Sequence, residues 1–353
     1  MAEKVLMKGN EAIAEAAILA GCRHYFGYPI TPQTEIAAYM AKRMPKIGGC
    51  FLQAESEIAA INMVYGVAGT GKRVMTSSSS PGIALKSEGL SYLAGSDLSA
   101  LVVNVQRGGP GLGGIQPSQS DYFQATKAGG HGDFRMIVLA PASAQEMADL
   151  TVKGFDLADT YRMTAMLLAD GTMGQMMEPV ELPQPSTCTV EKPWAVTGTN
   201  CQRPHNIINS LSLVPEELEK LNFARFERYA QIEEKEPMWE EFMLEDAEVA
   251  VVAFGIAARV SKNAVLAARA QGIKAGMLRP ITLWPFPKKA LDRAANTVKH
   301  FISVELNMGQ MIEDVQLAIG CRRPVSLCNR AGGMIPTPED VLAKIQLAAG
   351  GNN

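Results

Sequence analysis

The sequence predicts an α/β protein built on two parallel sheets, and three observations carry that reading. Short apolar runs alternate with helical segments from the N-terminus to about residue 175. A proline-rich and then strongly charged stretch, 179–245, interrupts the alternation. The alternation resumes at 249 and continues almost to the end. Strands separated by helices need crossover connections, which produce a parallel sheet covered on both faces. The 353 residues suit two such units and a connector.

Residues 10–20 form a predicted helix, with Ile13, Ala16, Ala17 and Ala20 on one face. A short strand from His24 is closed by Pro29, and the helix 33–43 turns Ile36, Tyr39 and Met40 inward. The strand 50–53 leads to Ser56, an N-cap for the helix 57–68. Strands follow at 73–76, 101–105 and 136–139, then a helix at 143–158 and a strand at 163–168. The interruption reads as a linker, proline-rich to 193 and then carrying one or two helices. The second unit has predicted strands at 249–254, 275–278, 301–304 and 325–327. Predicted helices occupy 257–269, 288–295, 311–319 and 338–348.

The charge balance, 33 basic against 36 acidic residues, lacks the basic footprint of a nucleic-acid binder. The first twenty residues carry Glu3, Lys4, Lys8, Glu11 and Glu15, which no signal-peptide core accommodates. The longest charge-free apolar run, 249–258, falls short of the roughly 20 residues that span a bilayer. A soluble, cytoplasmic protein is expected. The six cysteines show no C-x-x-C pair and no metal-ligand spacing with histidine, so neither a cluster nor a structural zinc is expected on this chain alone.

Three motifs fail on context. Gly66-x-x-x-x-Gly71-Lys72 is followed by Arg73 instead of Ser or Thr, and lies between a helix and a strand in the reverse of P-loop order. It reads as a helix C-terminus. Gly109-Pro-Gly111-Leu-Gly-Gly114 follows a strand but opens no apolar helix for a pyrophosphate, and reads as a mobile glycine-rich loop over a site. Ala169-Asp170-Gly171 with Asn200 lacks two residues of the pattern that holds magnesium and the diphosphate of thiamine diphosphate.

Three loops fall at C-terminal strand ends, where open α/β sheets bind ligands. The first, Gly27-Tyr-Pro-Ile-Thr31-Pro32, offers the Thr31 hydroxyl ahead of a helix, or simply a cap for it. The second places Glu55 and Glu57 at a strand-to-helix turn, where acids also suit the helix dipole. The third places Arg107 beside glycines, as a ligand group or as half of a surface ion pair.

These loops, with Thr76-Ser-Ser-Ser-Ser-Pro-Gly82, Leu278-Arg-Pro-Ile-Thr-Leu-Trp-Pro-Phe-Pro287 and Val304-Glu-Leu-Asn-Met-Gly-Gln310, resemble the alpha subunit of 2-oxoacid:ferredoxin oxidoreductases. The likeness runs in order over nearly the whole chain. The stretch 107–121 is most similar to the branched-chain members, which act on 3-methyl-2-oxobutanoate, and less to the 2-oxoglutarate-specific ones. The resemblance implies a pyrimidine-type thiamin diphosphate-binding domain at 1–178, a linker at 179–245 and a transketolase C-terminal-like domain at 246–353. It implies oxidative decarboxylation of a 2-oxoacid to an acyl-CoA, with electrons passed to ferredoxin. Thiamine diphosphate is then shared with a beta subunit that holds its diphosphate and Mg2+. The [4Fe-4S] clusters sit on the beta and ferredoxin-like delta subunits, and a gamma subunit completes the assembly. Glu57 is the implied partner of the aminopyrimidine N1′, with Glu55 the alternate. Arg107 pairs with the substrate carboxylate and Thr31 donates its hydroxyl. A beta subunit of a lipoyl-linked 2-oxoacid dehydrogenase and a non-catalytic assembly subunit are the competing readings.

Overall fold

The computed structural model of the chain describes residues 4–127 and 129–350. Its first part runs β1 (Lys4–Lys8), α1 (Gly9–Leu19), β2 (His24–Gly27), α2 (Thr34–Arg43), β3 (Cys50–Gln53), α3 (Glu57–Gly69) and β4 (Val74–Ser78). Two short helices follow, α4 (Ser80–Leu85) and α5 (Ser87–Gly95), then β5 (Ala100–Gln106), α6 (Tyr122–Thr126), β6 (Ile137–Leu139), α7 (Ala144–Tyr161), β7 (Thr164–Asp170), α8 (Gly171–Gln175) and β8 (Met177–Glu181). After the connector come α9 (Pro215–Lys235), β9 (Trp239–Phe242), β10 (Val249–Ala253), α10 (Gly255–Ala270), β11 (Ala275–Pro280) and β12 (Thr282–Trp284). The chain closes with α11 (Lys288–Ala294), β13 (His300–Glu305), α12 (Met311–Ala318), β14 (Val325–Asn329) and α13 (Pro338–Ala349).

The larger sheet has the order β12-β6-β7-β5-β4-β2-β3, and all its strands are parallel except β12. Both β4 and β5 are buried along their whole length, as strands covered by helices on both faces must be. The chain leaves β2 toward β3 but leaves β4 toward β5, so the strand order reverses between β2 and β4. A crevice opens at such a reversal, outside the carboxyl ends of the strands. The smaller sheet, β14-β13-β10-β11-β9, is parallel except for β9.

Local sequence explains most of the elements. Ser56 caps α3 through its Oγ, which accepts the Ala59 amide at 3.2 Å. The helix ends at Gly69, and Gly71 adopts φ +75°, so the P-loop-like match is a helix terminus. Several elements lie outside the predicted pattern, among them the short helices α4, α5, α6 and α8 and four strands. The β1–β8 ribbon is an antiparallel pair whose first strand is mostly exposed, so its alternation is faint in sequence. Strand β9 lies in the charged segment because its Glu240 accepts Arg279 Nε at 2.8 Å across the ladder. Arg279, almost wholly buried, also reaches Glu146 of α7 at 2.6 Å and ties the second part to the first. Strand β12 leaves its own half and pairs antiparallel with β6.

Asp170 reinforces that junction. Its Oδ1 accepts the Met173 amide at 3.0 Å, capping α8, and its Oδ2 accepts the Ile256 amide of α10 at 3.3 Å. Its carboxyl is thus committed to the fold. Burial pushes its pKa from the usual 3.8 up to about 6. The native state therefore holds this proton more tightly than the unfolded chain does. The stability it contributes is fully present below about pH 4 and is lost as the pH rises through about 6. Asp170→Asn removes the titration. Thermal melts should show the variant gaining on the wild type across that window by about 3 kcal/mol. A constant difference between the two would show that Asp170 does not titrate there.

Candidate functional site

The three predicted loops meet around the start of α4. Glu57 is the first residue of α3 and is 6% exposed, whereas Glu55, one residue before the cap, is exposed to solvent. No described residue donates a hydrogen bond to the Glu57 carboxylate. A Cβ on Gly82 would stand 2.7 Å from Glu57 Oε1 and would collide with Ser78 Oγ, so the glycine is what lets the carboxylate lie against α4.

Arg107 follows β5 and is 7% exposed, with no carboxylate within 4 Å among the described residues. This excludes the surface ion pair. Its Nη1 donates to the Thr31 carbonyl at 3.0 Å and its Nη2 to the Leu112 carbonyl at 2.9 Å, while Nε is buried without a partner. The guanidinium thus draws the β2 loop and the glycine-rich loop together and keeps one donor free. Thr31 itself is exposed. Behind it Gln33, fully buried, accepts Ser77 Oγ at 2.5 Å, and Ser77 meets Tyr25 Oη at 2.6 Å.

The glycine-rich loop is tethered instead of loose. The Gly108 amide donates to Gln116 and the Gly114 amide to Gly108. The following segment docks on the second half, where the Gln119 amide donates to the Leu306 carbonyl at 3.0 Å, its side-chain Oε1 accepts the Leu306 amide at 3.2 Å, and Asn307 Nδ2 donates to the Gln119 carbonyl at 2.9 Å. Between the halves lies a cleft of about 410 Å³, lined by Ser80, Arg107, Ser118, Asp121, Asn307 and Gln310 among others. Arg107 faces this cleft, whereas Glu57 lies on the α3 side of α4 and does not line it.

Four groups had no assigned role in the sequence. Ser78 Oγ, Ser79 Oγ and Asn104 Oδ1 are buried without partners at the ends of β4 and β5. Native interiors leave few such atoms unpaired, and these three cluster toward the carboxyl ends of β4 and β5. The run of four serines from Ser77 to Ser80 at a strand end was the available signal. The fourth is Lys86, fully buried, the first charge after Arg73.

These groups fit the aminopyrimidine end of thiamine diphosphate: a buried carboxylate without a protein donor, beside orphaned hydroxyls and a glycine-made cradle. They do not extend to the diphosphate, since the only near-match to that motif, at Asp170, is consumed by the backbone.

Residues 15–231 match the family described as pyruvate flavodoxin/ferredoxin oxidoreductase, thiamine diphosphate-binding, and residues 247–341 match pyruvate:ferredoxin oxidoreductase core domain II. The chain is 51% identical over 349 residues to the ketoisovalerate oxidoreductase subunit VorB of Methanothermobacter marburgensis, covering 99% of each. It is 36% identical to the 2-oxoglutarate synthase subunit KorA of Methanothermobacter thermautotrophicus, covering 98% of this chain and 99% of that one. The 2-oxoglutarate:ferredoxin oxidoreductase from Magnetococcus marinus, solved with 2-oxoglutarate, coenzyme A and succinyl-CoA bound, superposes with a TM-score of 0.88 at 30% identity. That match covers 99% of this chain and 66% of that one. A split-gene transketolase shares the fold over 99% of both chains, with a TM-score of 0.62 at 15% identity. The two family models and the likeness to oxidoreductase subunits over nearly the whole chain show that it belongs to the thiamine diphosphate-dependent 2-oxoacid:ferredoxin oxidoreductases.

Proposed function

We propose that this chain is the pyrimidine-side subunit of an oxidoreductase that converts branched-chain 2-oxoacids, 3-methyl-2-oxobutanoate foremost, to acyl-CoA with reduction of ferredoxin. The observation that carries the substrate class is the 51% identity to a ketoisovalerate oxidoreductase subunit over 99% of both chains, against 36% to a 2-oxoglutarate synthase subunit. In this reading residues 1–178 form the cofactor domain, 179–245 the linker and 246–353 the transketolase C-terminal-like domain. A beta subunit carries the diphosphate and Mg2+, gamma and delta subunits complete the complex, and the [4Fe-4S] clusters lie on beta and delta. The complex works in the cytoplasm. Among the described residues no helix is long and apolar enough to cross a membrane.

When bound, thiamine diphosphate supplies a nucleophilic carbon that takes up the 2-oxo carbonyl and accepts the electrons left by decarboxylation. Glu57 holds a proton at N1′ of the aminopyrimidine, and its burial excludes the water that would weaken that bond. Glu55, exposed, becomes the lesser candidate. Arg107 directs its free Nε toward the substrate carboxylate while its other nitrogens fix the two loops. The Thr31 hydroxyl serves the same carboxylate or the keto oxygen.

Calorimetry and a substrate panel test this reading. The isolated chain should be colourless and bind thiamine diphosphate with magnesium weakly, and addition of the beta subunit should make binding tight. The complete complex should show its highest kcat/KM with 3-methyl-2-oxobutanoate. Tight binding by the isolated chain, or a preference for 2-oxoglutarate, contradicts the assignment.

A further inference from the structure

Lys86 is a buried amine that stands apart from the roles proposed for Glu57, Arg107 and Thr31. It joins α4 to α5 and is 0% exposed. Its Nζ donates to Thr76 Oγ1 of β4 at 2.8 Å, and no carboxylate lies within 4 Å among the described residues. A desolvated ammonium with one neutral acceptor is costly unless an opposite charge compensates it.

The surroundings identify that charge. The chain from α4 into α5 runs alongside α3. Gly82 abuts Glu57 Oε1, and Gly89 abuts Ile61, which lies one helical turn beyond Glu57. Lys86 is four residues after Gly82 and three before Gly89, so it falls on the same side, between two points of contact with α3. Other ionisable groups on the packed elements are committed elsewhere. On β2, Tyr25 bonds Ser77 and His24 stands at the strand's opposite end. On α5, Glu88 bonds Tyr92 at the surface, and on α3 itself Tyr65 bonds Ser96. Strands β4 and β5 carry no ionisable side chain, and Asp170 of β7 caps α8.

We propose that Lys86 is a positioning residue that acts through Glu57, its buried ammonium serving as the internal counter-charge that keeps the Glu57 carboxylate ionised once the cofactor and the partner subunit exclude water. The proposal rests on the assignment of Glu57 to the aminopyrimidine. Burial lowers the Lys86 pKa to about 8, and the Glu57 charge is what opposes a further fall. Lys86 therefore still carries its proton at neutral pH.

Lys86→Met keeps the length, removes the charge and relieves a buried ammonium, so the variant should fold and assemble with a melting temperature at least equal to the wild type. In the reconstituted complex its turnover at pH 6 to 7 should fall about tenfold, and the loss relative to wild type should be greatest on the acid limb of its pH–rate profile. A second readout needs no turnover. In melts of the full chain between pH 6 and 11, the wild type should gain stability from about pH 8 upward as Lys86 loses its proton in the native state. That rise should begin at a lower pH in Glu57→Gln and vanish in Lys86→Met. Superimposable acid limbs for Lys86→Met and wild type, or an unmoved rise in Glu57→Gln, would overturn the role of Lys86 while an inactive Glu57→Gln leaves Glu57 in place. A fully active Glu57→Gln would remove the assignment beneath it and the proposal with it.

Discussion

Glu57→Gln is expected to lower turnover of the reconstituted complex by about 10²-fold or more, the scale of a lost acid–base contact, with assembly intact. The substitution keeps the shape that fits against Gly82 and removes only the ionised carboxylate. Because no described residue donates to that carboxylate, the change breaks no hydrogen bond of the fold, and any fall in melting temperature near pH 7 comes from the buried Lys86 ammonium left without its counter-charge. Glu55→Gln, on the exposed side of the Ser56 cap, should leave the rate unchanged. Initial rates with an artificial electron acceptor measure both. Wild-type turnover in Glu57→Gln together with loss in Glu55→Gln would transfer the role to Glu55.

Arg107→Lys carries the second large effect. Lysine keeps the charge but loses the planar fork, and with it the bonds to the Thr31 and Leu112 carbonyls and the free Nε. A charge-assisted hydrogen bond contributes about 1.5–3 kcal/mol. The KM for the 2-oxoacid should therefore rise about tenfold or more, with the complex still assembled. Arg107 is linked to both loops, so the glycine-rich loop should also become more sensitive to protease in the variant. An unchanged substrate dependence would leave Arg107 as a clasp between loops and nothing more.

Much of this site can be read from the sequence because its parts are local. Ser56 is a recognisable cap, and it alone places Glu57 inside the helix and Glu55 before it. Which of the two faces inward is harder to read. The helix is apolar on nearly every side, so its periodicity points in no direction, and only packing against α4 decides. The strand ends carrying Thr31 and Arg107 were legible from alternation, but their meeting was not. It depends on β2 and β5 flanking β4, a matter of strand order. Lys86 shows the limit most plainly. A lone lysine after a charge-free run looks like the solvated end of a helix, and its complete burial is imposed by α3, α5 and β4 together. Strand β9 was hidden for a related reason: Glu240 has its partners in Lys262 and the twice-paired Arg279, and Glu241 in Arg293, all far away in sequence.

The placement of β12 has a consequence for how this protein can be divided. The two family matches meet near residue 240, which invites cutting the gene there into independently expressed halves. The short strand Thr282–Trp284 lies beyond that cut, yet it seals the edge of the first half's sheet at β6. A first half made alone would present an unpaired, fully buried-type strand, Ile137–Leu139, to other copies of itself. Covalent continuity is thus serving as edge protection, and a soluble N-terminal fragment requires the Thr282–Trp284 segment to be supplied, in cis by a linker or in trans as a peptide.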